Sequence, residues 1–335
     1  MLSKKQKTSM ILIMTVLLVI SAFFSVRLGT RDSSFSELLS ALFYPDQMDS
    51  FTAAVIQKRL PRTVFSILAG GGLAVSGALV QSVTRNPIAD PGILGINMGA
   101  SLAVVIGISF FGLSSYMSYI VFGLLGAFMT ALLVYRIGSI GVSGATPVKL
   151  ALAGMVISIA FSSFINCLVL PQQHVMDQFR FWQVGGVGRA TFPAIVSLLP
   201  FLVAGFLLAL FLASSLNILE LGDQIAESLG VSIQTIRLLS AVASVLLCGS
   251  ITAIGGPISF VGLIIPHLIR MIFDVDMLFL IPTSALSGGV LLTWCDILGR
   301  IIAPPSEIEV GILTAIIGAP LLIFFTLRND GGRKK

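Results

Sequence analysis

A chain of 335 residues with 56% hydrophobic and only 10% charged side chains cannot clothe a single core in polar surface, which excludes an ordinary soluble enzyme. Its mean hydropathy of +1.02 sets the apolar surface against lipid, so an all-α integral membrane protein is expected. The net charge of +5 gathers at the ends of apolar runs instead of an aromatic-laced patch, which argues against nucleic acid as a partner.

Lys4, Lys5 and Lys7 precede the first apolar run, 10–26. No small-x-small cleavage site follows and Arg27 closes the run, so a retained span is expected and not a signal peptide. The next segment carries Arg27, Arg31, Lys58, Arg59 and Arg62 against Asp32, Glu37, Asp46 and Asp49. Lys58-Arg59-Leu60-Pro61-Arg62 reads either as snorkelling anchors or as a basic rim for an acidic partner, since Arg grips carboxylates with two prongs. Span two, 64–83, holds Gly70-Gly71-Gly72, Ser76 and Gly77, small residues that let backbones approach in lipid. Asn86, Pro87, Asp90 and Pro91 then predict a non-helical turn, because residues before proline avoid the helix.

Spans 92–111, 117–135, 148–169 and 192–216 follow, and the run from Ala190 to Leu219 contains no charge. Beyond it Glu220, Asp223 and Glu227 recur at i, i+3 and i+7, one helix face, with Gly230 as its stop. An acidic stripe where cytoplasmic loops are usually basic suggests a protein partner there, the other reading being a solvated loop. Span 238–254 ends at Gly255-Gly256-Pro257, and the short span 258–273 holds Pro266 and His267. Broken helices at membrane depth occur only where they face protein or a cavity. Pro87-Ile88 before Gly92-Ile93-Leu94 matches Pro257-Ile258 before Gly262-Leu263-Ile264 in spacing, a weak inverted repeat with one copy at each face. Span 277–298 carries Asp296, four residues before Arg300, an ion-pairing distance on a helix. The tenth span, 308–327, leads into Arg328, Arg333, Lys334 and Lys335; ten spans put both termini on one side, and the basic tails make that side the cytoplasm.

Cys167, Cys248 and Cys295 lack paired spacing and read as packing residues. His174 and His267 fall on opposite sides of the membrane, so no metal site is expected, and no G-x-x-x-x-G-K-[ST] loop exists to cradle ATP. No catalytic residue is therefore assigned. Proton- or sodium-coupled carriers place carboxylates or histidines in mid-span. None is evident here, so the energy source lies elsewhere, with an ion-gradient-driven secondary transporter as the alternative.

Several stretches together carry a resemblance: Arg59-Leu-Pro-Arg62 leading into 69–81, Asn86–Gly95, Leu219–Val231, Gly256–His267 with Arg270, Asp296–Arg300 and Gly311–Pro320. In these the chain resembles the FecCD-type permeases, membrane subunits of ATP-binding-cassette importers for iron-siderophores, haem and cobalamin. The resemblance implies a type II ABC importer permease architecture, with residues 1–335 forming a single transmembrane domain of about ten helices. It further implies an identical or homologous second permease, two ATPase subunits that use ATP and Mg, an external substrate-binding protein, and no cofactor on this chain. Arg59, Arg62 and Arg300 match binding-protein docking positions. Glu220, Asp223, Ala226, Glu227, Leu229 and Gly230, within 217–231, match the ATPase coupling segment. Asn86, Pro87, Asp90, Pro91, Gly256, Pro257, Pro266 and His267 match structural and pathway motifs, the pathway being lined largely by spans five and ten at a dimer axis. The expected setting is the bacterial cytoplasmic membrane. Ser259 stands where relatives often carry glycine, which bears only on local helix packing.

Overall fold

The computed structural model describes residues 4–29, 50–141, 146–173, 176, 182–273, 276–304 and 306–331. Arg31, Asp32, Glu37, Asp46, Asp49, His174, Arg333, Lys334 and Lys335 lie outside them. Among the described residues every regular element is helical: α1 (Lys4–Arg27), α2 (Ser50–Thr84), a 3-10 turn (Pro91–Leu94), α3 (Ile96–Phe111), α4 (Tyr116–Gly138) and α5 (Pro147–Val169). There follow α6 (Phe192–Glu220), α7 (Asp223–Ser228) and α8 (Ile233–Ser244), which runs through a π turn (Val245–Gly249) into α9 (Ser250–Gly255). The last three are α10 (Val261–Ile272), α11 (Met277–Ile302) and α12 (Val310–Gly331). Among the described residues, seven helices are long and apolar enough to cross a membrane: α1, α2, α4, α5, α6, α8 continued into α9, and α11. The apolar helices α3, α10 and the first part of α12 are shorter.

Helix starts follow local chemistry. Thr146 accepts from the Lys149 amide with Pro147 at the first helical position, and Thr191 accepts from the Ala194 amide in front of Pro193. Asp276 caps α11 through the Phe279 amide and also receives Lys7 Nζ at 2.8 Å, tying the start of α1 to the start of α11. Burial works against the Asp276 charge, but the Lys7 and Phe279 hydrogen bonds prevail and hold its carboxyl below the usual range.

The bundle is organised around α2, with 83% of its apolar window enclosed. Lipid supplies no hydrophobic force between helices, so close backbone approach must do so by packing. At the α2–α11 crossing a Cβ on Gly70 would lie 2.1 Å from the Gly288 carbonyl oxygen, and one on Gly288 would lie 2.2 Å from that of Gly70. At the α2–α10 crossing a Cβ on Gly77 would lie 1.9 Å from the Gly262 oxygen. The glycine clusters are contact surfaces.

The second crossing also settles a backbone problem. Pro266 has no N–H, so the Gly262 carbonyl four residues earlier loses its helical partner. Gln81 Nε2 donates to that oxygen at 3.2 Å and to the Leu263 oxygen at 3.1 Å. Because an unsatisfied buried acceptor costs about 1–3 kcal/mol, Gln81→Leu should destabilise the chain by that amount, read from thermal unfolding in detergent. Introducing Gln81→Leu together with Pro266→Ala, which restores the missing N–H, should recover most of the loss.

Candidate functional site

The stretches that follow the two Pro-Ile segments touch inside the bundle. After Gly255 the chain leaves the helix through Gly256, whose φ of +73° suits glycine alone, while a Cβ on Gly255 would pack 3.0 Å from the Phe65 ring. The break thus lies beside Phe65, one helical turn from Arg62, towards the end of α2 that carries the arginines. A Cβ on Gly262 would lie 3.2 Å from Pro91 Cδ, so the turn after Pro87 and the helix after Pro257 touch. Asn97, at the start of α3, accepts from Thr252 Oγ1 and Cys248 Sγ at 3.0 Å each, fixing α3 to the π turn and α9.

Beside this junction lies a cavity of about 730 Å³. One wall is α5, where Ala151, Met155, Ser158 and Ser162 recur on one helix face. Asp90 and Gly92 line another side, Ser259, Phe260 and Leu263 the third, and Leu322 of α12 closes the rim. Asn86, Pro87, Pro91, Gly256, Pro257, Pro266 and His267 do not line it; they shape the turns and helix behind it. His267 is buried within α10. Burial pushes the Asp90 carboxyl up to about 6, against the hydrogen bond it accepts from the Gly92 amide at 2.8 Å. A carboxyl raised in this way favours the fold when protonated, and that contribution disappears as pH rises through about 6. Asp90→Asn should therefore be more stable than the parent at pH 7.5, by up to about 3 kcal/mol, and indistinguishable from it at about pH 3. Thermal unfolding at the two pH values checks this.

At one end of the bundle the three predicted docking arginines come together, but they point inward. Arg59 is 6% exposed and Arg300 3%. The last turn of a helix leaves carbonyls without partners, and cations are favoured there. Arg59 Nη1 donates to the Val26 and Arg27 oxygens at 3.1 Å, and Arg300 Nη1 to the Ser25 and Leu28 oxygens at 2.9 and 3.0 Å. Those four carbonyls end α1. Asp296, fully buried, holds Arg62 Nε at 2.7 Å and Arg300 Nη2 at 3.0 Å, the i, i+4 pair that the sequence predicts. Arg62 Nη1 also reaches Glu307 at 2.5 Å. The exposed rim expected from Arg59, Arg62 and Arg300 is corrected to a buried clamp. Exposed cations at this end include Arg27, Lys58 and Arg189, and sequence reading passed over Arg189.

At the opposite end the acidic stripe also changes character. Gly222, at φ +123°, separates Glu220, the last residue of α6, from the six-residue helix α7, so Glu220, Asp223 and Glu227 do not share one continuous helix face. Glu220 receives Arg270 at 2.9 Å and the Ser82 hydroxyl at 2.8 Å, while Asp223 is shared by Arg85 and Arg237. Glu227 stands exposed. Ala226 is buried and anchors α7, the Gly230 amide closes onto the Glu227 oxygen, and Val231 closes onto Ala226. The exposed side presents Leu221 at 61%, Ile225 at 47% and Leu229 at 59%. Ile225 and Leu229, the residue that caps α7, lie four apart on its exposed side, with Leu221 just before the Gly222 break; these apolar positions were legible in the sequence and overlooked for the charges.

The FecCD transport family model matches residues 17–328. The chain belongs to the FecCD transport family. It is 40% identical over 318 residues to the ferric enterobactin transport system permease protein FepD of Escherichia coli (strain K12), covering 95% of this chain and 94% of that one. It is 37% identical over 330 residues to the Fe(3+)-citrate import system permease protein YfmD of Bacillus subtilis (strain 168), with 98% of each covered. A solved inward-facing structure assigned to the metal-chelate type of ABC transporter superposes with a TM-score of 0.82 at 30% identity, over 96% of this chain and 99% of the other. This FecCD protein is therefore a multi-pass permease subunit of the ABC type, and ATP hydrolysis belongs to a separate subunit. In this FecCD permease the cavity joins α5 and α12, the fifth and tenth apolar segments, to the two interrupted motifs.

Proposed function

We propose that the chain imports an iron chelate, such as a ferric siderophore, along the cavity on α5 and α12, in a dimer with an identical or homologous permease. The observation that carries this is the cavity itself, which brings the serine-bearing face of α5, Asp90 and the Phe260 turn to one open side of the bundle. Exposed apolar residues of α5 (Met155, Ile159) and α12 (Ile316, Ile323) continue that side and suit a second subunit. Relatives named for enterobactin and citrate chelates support the cargo class.

Two ATPase subunits would seat on α7 and use ATP and Mg; the chain itself needs no cofactor for this role. A substrate-binding protein would dock at the clamp end, with Arg62 exchanging Glu307 for a partner carboxylate and Lys58 and Arg189 beside it, while Arg59 and Arg300 hold the surface. The setting is the bacterial cytoplasmic membrane with both termini inside, supported by Lys4, Lys5 and Lys7 at the α1 end.

Proteoliposomes carrying the chain with its ATPase and binding protein should accumulate radiolabelled ferric siderophore only with internal ATP. Uptake driven by an ion gradient without ATP would instead favour a secondary carrier. Glu307→Gln should strengthen binding-protein docking several-fold in a pull-down from detergent by freeing Arg62; weaker or unchanged docking would overturn the Arg62 assignment.

A further inference from the structure

A second cavity, of about 790 Å³, lies between α4 and α8 at the end of the bundle that carries α7. Its lining runs along α4 from Phe128 to Ser139 and along α8 from Gln234 to Val245 in the π turn, about 16 Å on each at the helical rise. The two ends of this groove differ in chemistry. Phe128, Leu132, Leu238 and Val242 form the deep end. Phe128, Leu132 and Leu238 are also exposed on the outer surface of the bundle, so the deep end opens sideways onto the bilayer.

The shallow end is polar and cationic: Arg85, Arg136 and Arg237 surround it, with Tyr135, Gln234 and Asp223. Asp223 is the one carboxylate there and is shared by Arg85 and Arg237, so that trio keeps a net single positive charge. Arg136 adds a second and has no ion pair or side-chain hydrogen bond to any described residue. Nor do the Tyr135 hydroxyl and the Gln234 amide, which leaves three donor groups lining one cavity beside an uncompensated charge.

From this we propose that the groove is a binding site for an anionic phospholipid, its phosphate held by Arg136 and Arg237 and its acyl chain laid along Phe128, Leu132 and Leu238. A soluble phosphate would use the head end alone and gain nothing from an apolar wall that faces lipid. A lipid matches both ends at once, because basic pockets between membrane helices select anionic headgroups. Arg237 also holds Asp223, the first residue of α7, so an occupied site would steady the element that the proposed ATPase contact uses.

The test is native mass spectrometry of the purified full-length chain, titrated in detergent with phosphatidylglycerol or phosphatidylcholine. Phosphatidylglycerol should be retained several-fold over phosphatidylcholine. Arg136→Gln should cut its retention about fivefold, equivalent to about 1 kcal/mol for one cation at a lipid headgroup. Leu238→Trp fills the apolar end without touching any charge and should also cut retention, so it decides the matter if Arg136→Gln does not fold. The proposal is overturned if both variants, at unchanged helix content, bind phosphatidylglycerol like the parent, or if phosphatidylcholine binds equally. Displacement of the lipid by millimolar glycerol 3-phosphate would likewise overturn it in favour of a soluble-anion site. No transport is measured, so failed chelate uptake and failed lipid binding remain separate results.

Discussion

Asp296→Ala is expected to destabilise the chain by about 3–5 kcal/mol, the cost of leaving buried charge without its partner. The carboxylate is fully buried between Arg62 and Arg300; the Arg300 guanidinium is almost wholly enclosed, while Arg62 keeps a little exposure on its Glu307 side. Arg300 would still be held by the Ser25 and Leu28 carbonyls, but these neutral acceptors cannot balance its charge. Arg62 would retain Glu307, which is itself exposed and therefore a weaker partner. The loss should spread to α1, because Arg300 and Arg59 together cap its final carbonyls. Trp294, whose indole donates to Ser21 of α1 at 2.9 Å, reports this contact by fluorescence. Its emission should shift red in Asp296→Ala well before global unfolding. Asp296→Asn keeps the shape and one acceptor, so a smaller loss is expected. Asp296→Leu with Arg300→Met removes both charges and should recover a good part of the stability, since paired buried charges are often replaceable by apolar packing. If Asp296→Ala unfolds at the parent's midpoint with unchanged Trp294 emission, the clamp is not holding α1.

The apolar runs announced their helices because lipid imposes the same demand everywhere: about 20 apolar residues with every backbone group satisfied within the segment. Breaks at Pro87–Pro91 and Gly255–Pro257 were equally legible, since proline and glycine act through local geometry. What the breaks touch was not. That Pro91 meets Gly262, or that Gln81 covers the carbonyl freed by Pro266, depends on packing of segments roughly 170–180 residues apart. Charges misled for a related reason. Arg59 and Arg300 looked like surface because arginine usually is, yet each has the unpaired end of α1 within reach, which only the fold reveals. The i, i+4 spacing of Asp296 and Arg300 survived intact because a helix alone determines it. At α7 the acidic residues drew the eye, although Leu221, Ile225 and Leu229 carried the stronger signal, three large apolar side chains that the fold leaves uncovered.

Ile225→Glu with Leu229→Glu is expected to abolish assembly with the ATPase, a larger effect than any charge change in the same segment. Each side chain is about half exposed or more in the permease alone, and burying a large aliphatic side chain in a partner's groove is worth about 1.5–3 kcal/mol. Losing two such contacts amounts to roughly 3–6 kcal/mol, at least a hundredfold in affinity, before the cost of burying two carboxylates is counted. Ala226 faces inward and the Gly230 turn is untouched, so α7 itself should keep its shape. Glu227→Lys, by contrast, alters an exposed side chain and should change affinity by less than about 1 kcal/mol, sensitive to salt. Asp223→Lys belongs to a third class: it sets a cation against Arg85 and Arg237 and should loosen the seat of α7 without removing its apolar face. Co-purification with the ATPase subunit and ATP-dependent uptake in proteoliposomes separate the three. Coupling through the acidic residues would give the opposite ranking, with Glu227→Lys inactive and the Ile225, Leu229 pair tolerated. Coupling through the apolar stripe requires that the double glutamate variant remain folded and inserted, bind no ATPase and import nothing.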